Sequence, residues 1–177
     1  MRQHSIRLRR WNLSDTKSLR WLVSHADYRY VDDMLPQSME EWQAEMIVKA
    51  FVDRTLWGEE LHLAVECDDR VVGAVGVTRK GDNYRQDGVL RCILLPEACG
   101  RGVGTEVIRR VVQQTLGQGL YRRLTARVFI PNVMAARALE RNGFVREGVM
   151  RRSARKGGVV YDEFVYGLMW GAEASRR

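Results

Sequence analysis

The chain contains few cysteines, and they do not form a recognisable pattern. Cys67, Cys92 and Cys99 are an odd number of residues without paired spacing. Such a set argues against a disulfide framework and against a zinc site, so no metal ligands are expected. Because reducing compartments keep thiols free, the sparse cysteines predict a cytoplasmic location.

Long apolar runs are also lacking. No segment has the length and apolarity needed to span a bilayer, so neither a transmembrane helix nor a membrane partner is expected. The basic start, MRQHSIRLRR, is not followed by an apolar stretch, which argues against a secretion signal. The 177 residues, 45% of them hydrophobic, are enough to bury a core, and they predict one folded domain over residues 1–177.

Positive charge is in excess, and the formal net charge is +7. This balance favours anionic partners such as phosphate groups, nucleic acid or acidic protein surfaces, although a well-solvated surface explains it equally well. The segment MRRSARKGG and the final two arginines are the best support for nucleic acid. Aromatic residues are not interleaved with these arginines, so base stacking, and nucleic acid as a partner, are not expected.

Hydrophobic periodicity predicts a mixed α/β fold in the order strand, two helices, three strands, helix, strand, helix and two strands. Ser14 or Asp15 is predicted to cap the first helix, and Ser38 with Glu41 forms a capping-box pattern before the second. Asp68-Asp69 is predicted to form the tight turn of a hairpin. No internal repeat or linker interrupts this order.

The most informative segment is CGRGVGTEVIRR, in which Gly100, Gly102 and Gly104 precede a helix predicted to begin near Thr105. The strand before it, GVLRCILL, is nearly all apolar and is predicted to be buried on both faces. The first N–H groups of a helix lack internal partners, and the helix dipole adds positive charge there. Glycines let the backbone approach a bulky anion, and Arg101 can add a fixed charge. The segment therefore predicts a phosphate site.

Other interpretations of the glycines fit less well. A mononucleotide P-loop needs a lysine before the serine or threonine, and none stands before Thr105. A dinucleotide fingerprint needs a glycine where Thr105 stands, in a repeated strand-helix-strand sheet. The remaining alternative is that the glycines only make a tight turn.

The segments PEACGRGVGTEVIRRVV and RLTARVFIPNVMAARALERNGFVREGVMR together resemble the GNAT superfamily of N-acetyltransferases. The resemblance is closest to the RimJ/RimL branch, the ribosomal-protein N-terminal acetyltransferases. It begins at IRLRRWNLSD, passes through VVGAVGV and ends at GGVVYDEFVYGLMW. It implies a single domain with a mixed sheet whose central strand pair splays apart, and it is compatible with a homodimer.

The resemblance implies acetyl-CoA as the cofactor and direct transfer of the acetyl group to a primary amine. The pantetheine arm would lie in the splayed gap, and the glycine loop would hold the pyrophosphate. The residues that the resemblance assigns to the cofactor are Ile93, Leu94, Leu95, Gly100, Arg101, Gly102, Val103, Gly104, Thr105 and Asn132.

Asn132 and Tyr161 are the candidate catalytic residues, since both match family positions near the acceptor. Asn132 fits a helix cap equally well, and Tyr161 fits a strand aromatic that packs its ring. Glu59, Glu60 and His62 are candidates for the general base, although each also fits a solvated surface residue.

The sequence departs from the family at three positions. Cys99 stands where the loop often begins with Gln or Arg, Leu139 where many members have a tyrosine acid, and Ala135 where the branch often has a serine. The general acid is therefore unassigned. Cys92, in the strand beside the pantetheine, is interpreted as a small apolar residue and not as a nucleophile.

The amine acceptor that the resemblance implies agrees with the acidic segment before and within the second helix, which contains Asp32, Asp33, Glu40 and Glu41. A solvated face is the plainer interpretation of this segment. The resemblance to the RimJ/RimL branch favours a protein N-terminus, and a polyamine or an aminoglycoside also fits. Two rival functions are a ribosome- or RNA-binding module and a non-catalytic CoA sensor. Core or acceptor-pocket positions are predicted for Trp11, Trp21, Trp42 and Trp57.

Overall fold

The computed structural model describes residues 5–27, 35–56, 58, 60–81 and 86–169. The described residues form seven strands, four α-helices and two short 3-10 turns. In chain order the strands and α-helices are β1 (Ile6–Arg10), α1 (Thr16–His25), α2 (Glu41–Leu56), β2 (Leu61–Cys67), β3 (Arg70–Arg79), β4 (Asp87–Leu94), α3 (Val103–Thr115), β5 (Arg123–Phe129), α4 (Val133–Glu140), β6 (Val145–Lys156) and β7 (Val159–Met169). This is the order that the sequence predicts. No helix of the described ranges is long and apolar enough to cross a membrane.

The seven strands form one sheet in the order β1-β2-β3-β4-β5-β7-β6. Neighbours are antiparallel except β4 and β5, which are parallel. Their pairing stops at Val89 opposite Thr125, although β4 continues to Leu94. The central strands therefore separate along the second half of β4, and the predicted fold class with its splayed strand pair is confirmed.

The helices cover the two faces of the sheet unequally. On one face, Tyr166 of β7 donates a hydrogen bond to Glu140 of α4 at 2.8 Å, and α3 buries Val107 and Val111 completely. On the other face, Phe51 of α2 stacks on His62 of β2 with ring centroids 4.4 Å apart. We call these the α3–α4 face and the α2 face.

The two predicted helix starts differ in detail from the structure. The 3-10 turn Leu13–Asp15 precedes α1, and Asn12 caps it by accepting from Ser14 N–H at 2.9 Å. Asp15 makes no side-chain cap to α1, because its carboxylate accepts from Arg9 instead.

At α2, the hydrogen bond that closes the helix start runs from Glu40 N–H to Gln43 Oε1, at 2.7 Å. It lies two residues beyond the Ser38–Glu41 pair of the predicted capping box. The spacing of three is the same, so the sequence pattern identifies the helix start but not the pair that closes it.

The tryptophans are not all in the core. Trp11 is buried beside Phe51, as predicted, whereas Trp21 and Trp42 are 48% and 60% exposed. These two are therefore not core residues, and their place in an acceptor-pocket wall stays a prediction. Trp57 lies outside the described residues, as does Trp170 at the predicted end of the last strand.

Candidate active site

The glycine loop between β4 and α3 uses its three glycines for two purposes. Gly100 and Gly102 have φ of +73° and +83°, in the left-handed region that side chains disfavour. Gly104 has no such φ, and a Cβ there would lie 3.5 Å from Leu94 Cδ1, an ordinary contact. The first two glycines thus permit the loop's course, whereas Gly104 only leaves space.

A cleft of about 360 Å³ opens where this loop, the end of β4 and the first part of α4 meet. Its walls come from the loop, from β4, from α3 and α4, and from the end of the α1 segment. The residues that line this cleft include Asp27, Cys92, Leu94, Cys99, Gly100, Gly102, Gly104, Thr105, Asn132, Ala135, Arg137 and Arg141. The structure therefore brings most of the predicted loop residues and Asn132 to one place.

The main-chain groups of β4 alternate between the two neighbouring strands. Leu95 N–H donates to Val72 of β3 at 2.8 Å, and Lys80 N–H donates to Asp87 at 3.0 Å. Because antiparallel ladders alternate, every second residue from Asp87 to Leu95 is directed to β3. The residues between them, Cys92 among them, are directed to the side of β5.

This alternation corrects part of the predicted pantetheine lining. Ile93 and Leu95 use their main-chain groups toward β3, and their side chains are buried in the core at 1% and 0% exposure. Leu94 lines the cleft as predicted by the resemblance, and Cys92 lines it as well. The strand edge that faces the splay thus consists of Leu90, Cys92 and Leu94.

The other predicted loop residues differ in whether they line the cleft. Thr105 lines the cleft, and its carbonyl accepts from Asn142 Nδ2 at 3.0 Å, which ties the start of α3 to the end of α4. Val103 is buried in the core at 2% exposure. Arg101 is exposed and is not part of the cleft wall.

The first turn of α3 carries one carboxylate, Glu106, whose charge is compensated. The hydrogen bond from Arg109, at 2.6 Å, lowers the pKa of Glu106 to about 2, burial opposes this, and Arg110 adds to the lowering. The paired carboxylate leaves the positive end of the helix dipole available to an anion.

Asn132 caps α4 and also lies in the wall of the cleft. Its side-chain oxygen accepts from Ala135 N–H at 3.2 Å and so caps α4. The same residue lines the cleft. A helix cap and a cleft wall are compatible here, because the first turn of α4 itself borders the cleft.

Two cationic residues that line the cleft, Arg137 and Arg141, were not predicted from the sequence. Arg137 and Arg141 stand four residues apart on and just after α4, on the side that lines the cleft. The available signal was their i, i+4 spacing, which places two residues on the same face of a helix. They supply positive charge to the site in place of Arg101.

The cleft thiols are held protonated. Burial raises the pKa of Cys92 to about 12, with a smaller effect of Cys99. Burial also raises the pKa of Cys99, and the carboxylate of Asp27 adds to this. Since thiolates are the reactive form, both cysteines act as small apolar wall residues.

Tyr161 lies outside the cleft. It stands on β7, and its ring contacts Phe129 edge to face at 5.4 Å. By the strand register it belongs to the α2 face, where polar side chains follow β4, β5 and β7. Two such pairs are Thr125 with Asp87 at 2.9 Å and Arg127 with Glu163.

Of the predicted base candidates, His62 is not a surface residue. Its side chain is 7% exposed, and Nε2 lies 2.8 Å from Glu60 Oε2. Glu60 is half-buried and also accepts from Arg54 at 3.0 Å. The plainer interpretation of a solvated surface is therefore wrong for His62. Glu59 lies outside the described residues.

The acidic acceptor-side segment is described only in part. Asp32 and Asp33 lie outside the described residues, and Glu40 and Glu41 are exposed, Glu41 3.6 Å from Arg20. Leu139, at the position of the family tyrosine, is buried in the core at 3% exposure. Within the described ranges no group of His, Cys, Asp or Glu is arranged to hold a metal ion.

Comparison with known proteins identifies the family. Residues 5–145 match the family described as "Acetyltransferase (GNAT) domain", and the chain belongs to this family. It is similar to the probable N-acetyltransferase YjcK of Bacillus subtilis (strain 168), with 27% identity over 124 residues, which are 69% of this chain and 68% of that protein.

Solved structures with the same fold include proteins that act on different amines. One is the ribosomal alpha-N-protein acetyltransferase RimL in complex with coenzyme A, with TM-score 0.83, 17% identity, and coverage of 93% of this chain and 94% of that one. Another is a chimera of the spermidine N-acetyltransferase SpeG from Vibrio cholerae, with TM-score 0.77, 18% identity, and coverage of 93% and 95%. Acetyl-CoA is the acetyl donor of the family, in agreement with the predicted cofactor.

Proposed function

We propose that this protein is an N-acetyltransferase that transfers the acetyl group of acetyl-CoA to a primary amine by direct attack. The observation that carries the proposal is the junction of two features. The gap between β4 and β5 opens beside Leu94, and the glycine-bounded start of α3 lies in the same cleft. One site thus offers a strand edge to an amide-containing arm and helix N–H groups to a phosphate.

The residues present fit the pyrophosphate and the pantetheine arm of coenzyme A. The N–H groups from Gly102 to Thr105 are at the positive end of α3, where a pyrophosphate is favoured. Arg137 and Arg141 supply side-chain cations in the same cleft. Cys92 and Leu94 present main-chain groups at the splay, where an extended arm can add to β4 as a further strand would.

The chain's contribution to the reaction is positioning and electrostatics. Bound acetyl-CoA supplies an activated thioester carbonyl. A β4 N–H directed into the splay stabilises the negative charge that develops on the carbonyl oxygen. Holding the amine against the carbonyl carbon removes much of the entropic cost of their encounter. The side chains of Leu139 and Ala135 cannot donate a proton. We therefore propose that solvent protonates the leaving thiolate.

We propose a protein N-terminal α-amine as the acceptor, on the resemblance to the RimJ/RimL branch. A small-molecule amine such as a polyamine or an aminoglycoside is the alternative, since SpeG, with the same fold, is a spermidine N-acetyltransferase. The α2 face carries polar side chains beyond β3, which favours approach of a polar amine from that side. Contacts of Asn132 and Tyr161 with the acceptor, a homodimer and a cytoplasmic location remain predictions.

An amine panel tests the proposed function. Purified protein and acetyl-CoA would be incubated with a peptide bearing a free α-amine, the same peptide with its N-terminus blocked, spermidine and an aminoglycoside. Release of the CoA thiol and the mass of the acetylated product would be measured. Turnover of the free peptide but not the blocked one supports the proposed acceptor. Turnover of spermidine or the aminoglycoside alone would replace it, and acetyl-CoA binding without turnover of any amine would favour a CoA sensor.

A further inference from the structure

His62 is fixed in one orientation by contacts on three sides. Its ring stacks on Phe51 at 4.4 Å with 14° between the planes. Its main-chain N–H donates to Thr55 Oγ1 at 3.0 Å, and Nε2 lies 2.8 Å from Glu60 Oε2. An imidazole held in this way loses little further freedom when it takes part in proton transfer.

Glu60 determines which ring nitrogen of neutral His62 carries the proton. The hydrogen bond with His62 lowers the pKa of Glu60, burial opposes this, and the charge of Arg54 lowers it further. Glu60 is therefore ionised near neutral pH and can only accept a hydrogen bond. Nε2 must then be the protonated nitrogen, and Nδ1 has a lone pair that can accept a proton.

Nδ1 lies over Gly76 of β3, the strand between β2 and the splayed strand β4. A Cβ at position 76 would lie 3.0 Å from Nδ1, which is a close contact. The imidazole therefore packs on Gly76, where the absence of a side chain leaves room for it. Gly76 is in register with His62 on one side and with Arg91 of β4 on the other. Directly opposed residues share a face, so His62, Gly76 and Arg91 form one row on the α2 face.

The row ends close to the place where acetyl transfer is proposed. Two strand spacings separate the backbones of β2 and β4, a distance of about 10 Å. The splay begins after Val89, two residues before Arg91. The imidazole over Gly76 spans part of this distance, and the proposed proton path requires water to bridge the remainder between Nδ1 and an amine at the splay.

We propose, on the basis of the acetyl transfer proposed above, that His62 accepts the proton of the attacking amine through water and that Glu60 positions it. The amine nitrogen forms the C–N bond to the thioester carbonyl carbon, and the C–S bond breaks with its electron pair left on sulfur. The ammonium proton passes through water to Nδ1. The imidazolium then returns this proton to solvent, and the thiolate gains one, so amide and free thiol are the products.

Other charged and titratable groups surround the pair. Arg54 approaches Glu60 from α2, and Arg91 lies on β4, where it donates to Thr78 Oγ1 at 3.0 Å. Burial raises the pKa of Tyr121, and the charge of Glu60 contributes to this. Tyr121 is therefore not a competing base near neutral pH, whereas Arg54 and Arg91 hold a fixed positive charge.

The test compares three variants with the native protein, using whichever amine of the panel is turned over. His62→Gln removes the proton acceptor, Glu60→Gln removes the carboxylate that positions it, and His25→Gln removes an exposed imidazole on α1 as the matched control. We expect His62→Gln to lower kcat by about 100-fold or more, the usual contribution of a general base, with acetyl-CoA binding unchanged. The ascending limb of its pH–rate profile should be lost.

Glu60→Gln keeps the imidazole but removes the carboxylate that accepts from Nε2. Because an amide can also donate, the single tautomer of His62 should be lost, with a smaller loss of kcat than in His62→Gln. The His25→Gln profile should match that of the native protein. In ¹⁵N-histidine spectra of the native protein, the neutral ring of His62 should carry its proton on Nε2, which tests the geometry independently of turnover.

Two results would overturn the inference while leaving acetyl transfer intact: an unchanged pH profile in His62→Gln, or a proton on Nδ1 in the spectra. If His62→Gln does not fold, the Glu60→Gln variant decides, and an unchanged kcat together with an unchanged His62 tautomer would be decisive against the pair. Absence of turnover of every amine by the native protein would remove the proposed function and this inference with it.

Discussion

At the scale of single residues, the start of the chain is held by one buried ionic contact. Arg9 of β1 donates two hydrogen bonds to Asp15, at 2.6 and 2.8 Å, and a third to Glu66 of β2. Asn12 N–H donates to the same Asp15 carboxylate at 2.9 Å. Burial raises the pKa of Asp15, but the bonds from Arg9 and Asn12 outweigh it, so the pKa is lowered.

We expect Asp15→Asn to lower the free energy of unfolding by about 3 kcal/mol near neutral pH, because it leaves a partly buried guanidinium with one partner fewer. A depressed carboxyl pKa contributes stability that is present above the unfolded-state value, about 3.9, and is lost as pH falls through the folded-state value. The difference between native and variant should therefore shrink below about pH 4.

Urea denaturation at pH 7 and at pH 3 measures this effect. Glu41→Gln is the control, since it removes an exposed pair worth at most about 1 kcal/mol. An Asp15→Asn deficit that is equally large at both pH values would contradict the ionic account.

At the scale of elements, α4 contributes more to the site than its sequence suggests. Its cap Asn132 and the two arginines Arg137 and Arg141 all border the cleft. The two arginines line the same cleft as Gly102, Gly104 and Thr105 at the start of α3. The α4 side chains and the helix dipole of α3 thus both favour an anion in this cleft.

We expect Arg137→Ala and Arg141→Ala each to weaken acetyl-CoA binding by about 10-fold, as for loss of one charge-assisted hydrogen bond. The dependence of affinity on salt should also become shallower. Arg7→Ala is the matched control, because Arg7 is an exposed arginine of β1 that does not line the cleft. Titration calorimetry at two salt concentrations measures both quantities, and equal losses in all three variants would contradict a specific role for α4.

At the scale of the whole molecule, the sequence predicts the order of elements and the position of the site. The hairpin turn is one clear case, since Asp68 and Asp69 both adopt positive φ, as a tight two-residue turn requires. The glycine loop is another, because Gly100 and Gly102 adopt a conformation that other residues disfavour. Such local conformational demands are visible in residue type alone.

The sequence alone does not show which residues of a buried strand face a given neighbour. It also does not show which side chains become buried when the helices pack on the sheet. Residues 92–95, at and just after the end of β4, are all apolar, so residue type alone does not show that Cys92 and Leu94, and not Ile93 and Leu95, face the splay. The burial of His62 depends on α2 packing over β2. The exposure of Trp21 and Trp42 likewise follows from which helix faces meet the sheet, which hydrophobicity alone does not decide.

Calorimetric titration of acetyl-CoA into the native protein and into Gly104→Glu tests whether this cleft binds the cofactor. Gly104 lacks a positive φ, and its Cβ position has room, so this substitution avoids backbone strain. A carboxylate in the first turn of α3 is compatible with the helix dipole, and the free energy of unfolding should be unchanged.

We expect the native protein to bind acetyl-CoA with micromolar affinity and Gly104→Glu to lose this binding. The added side chain would place a negative charge at the phosphate position. Absence of binding by the native protein, or equal binding by a folded Gly104→Glu variant, would contradict the assignment of this cleft to acetyl-CoA.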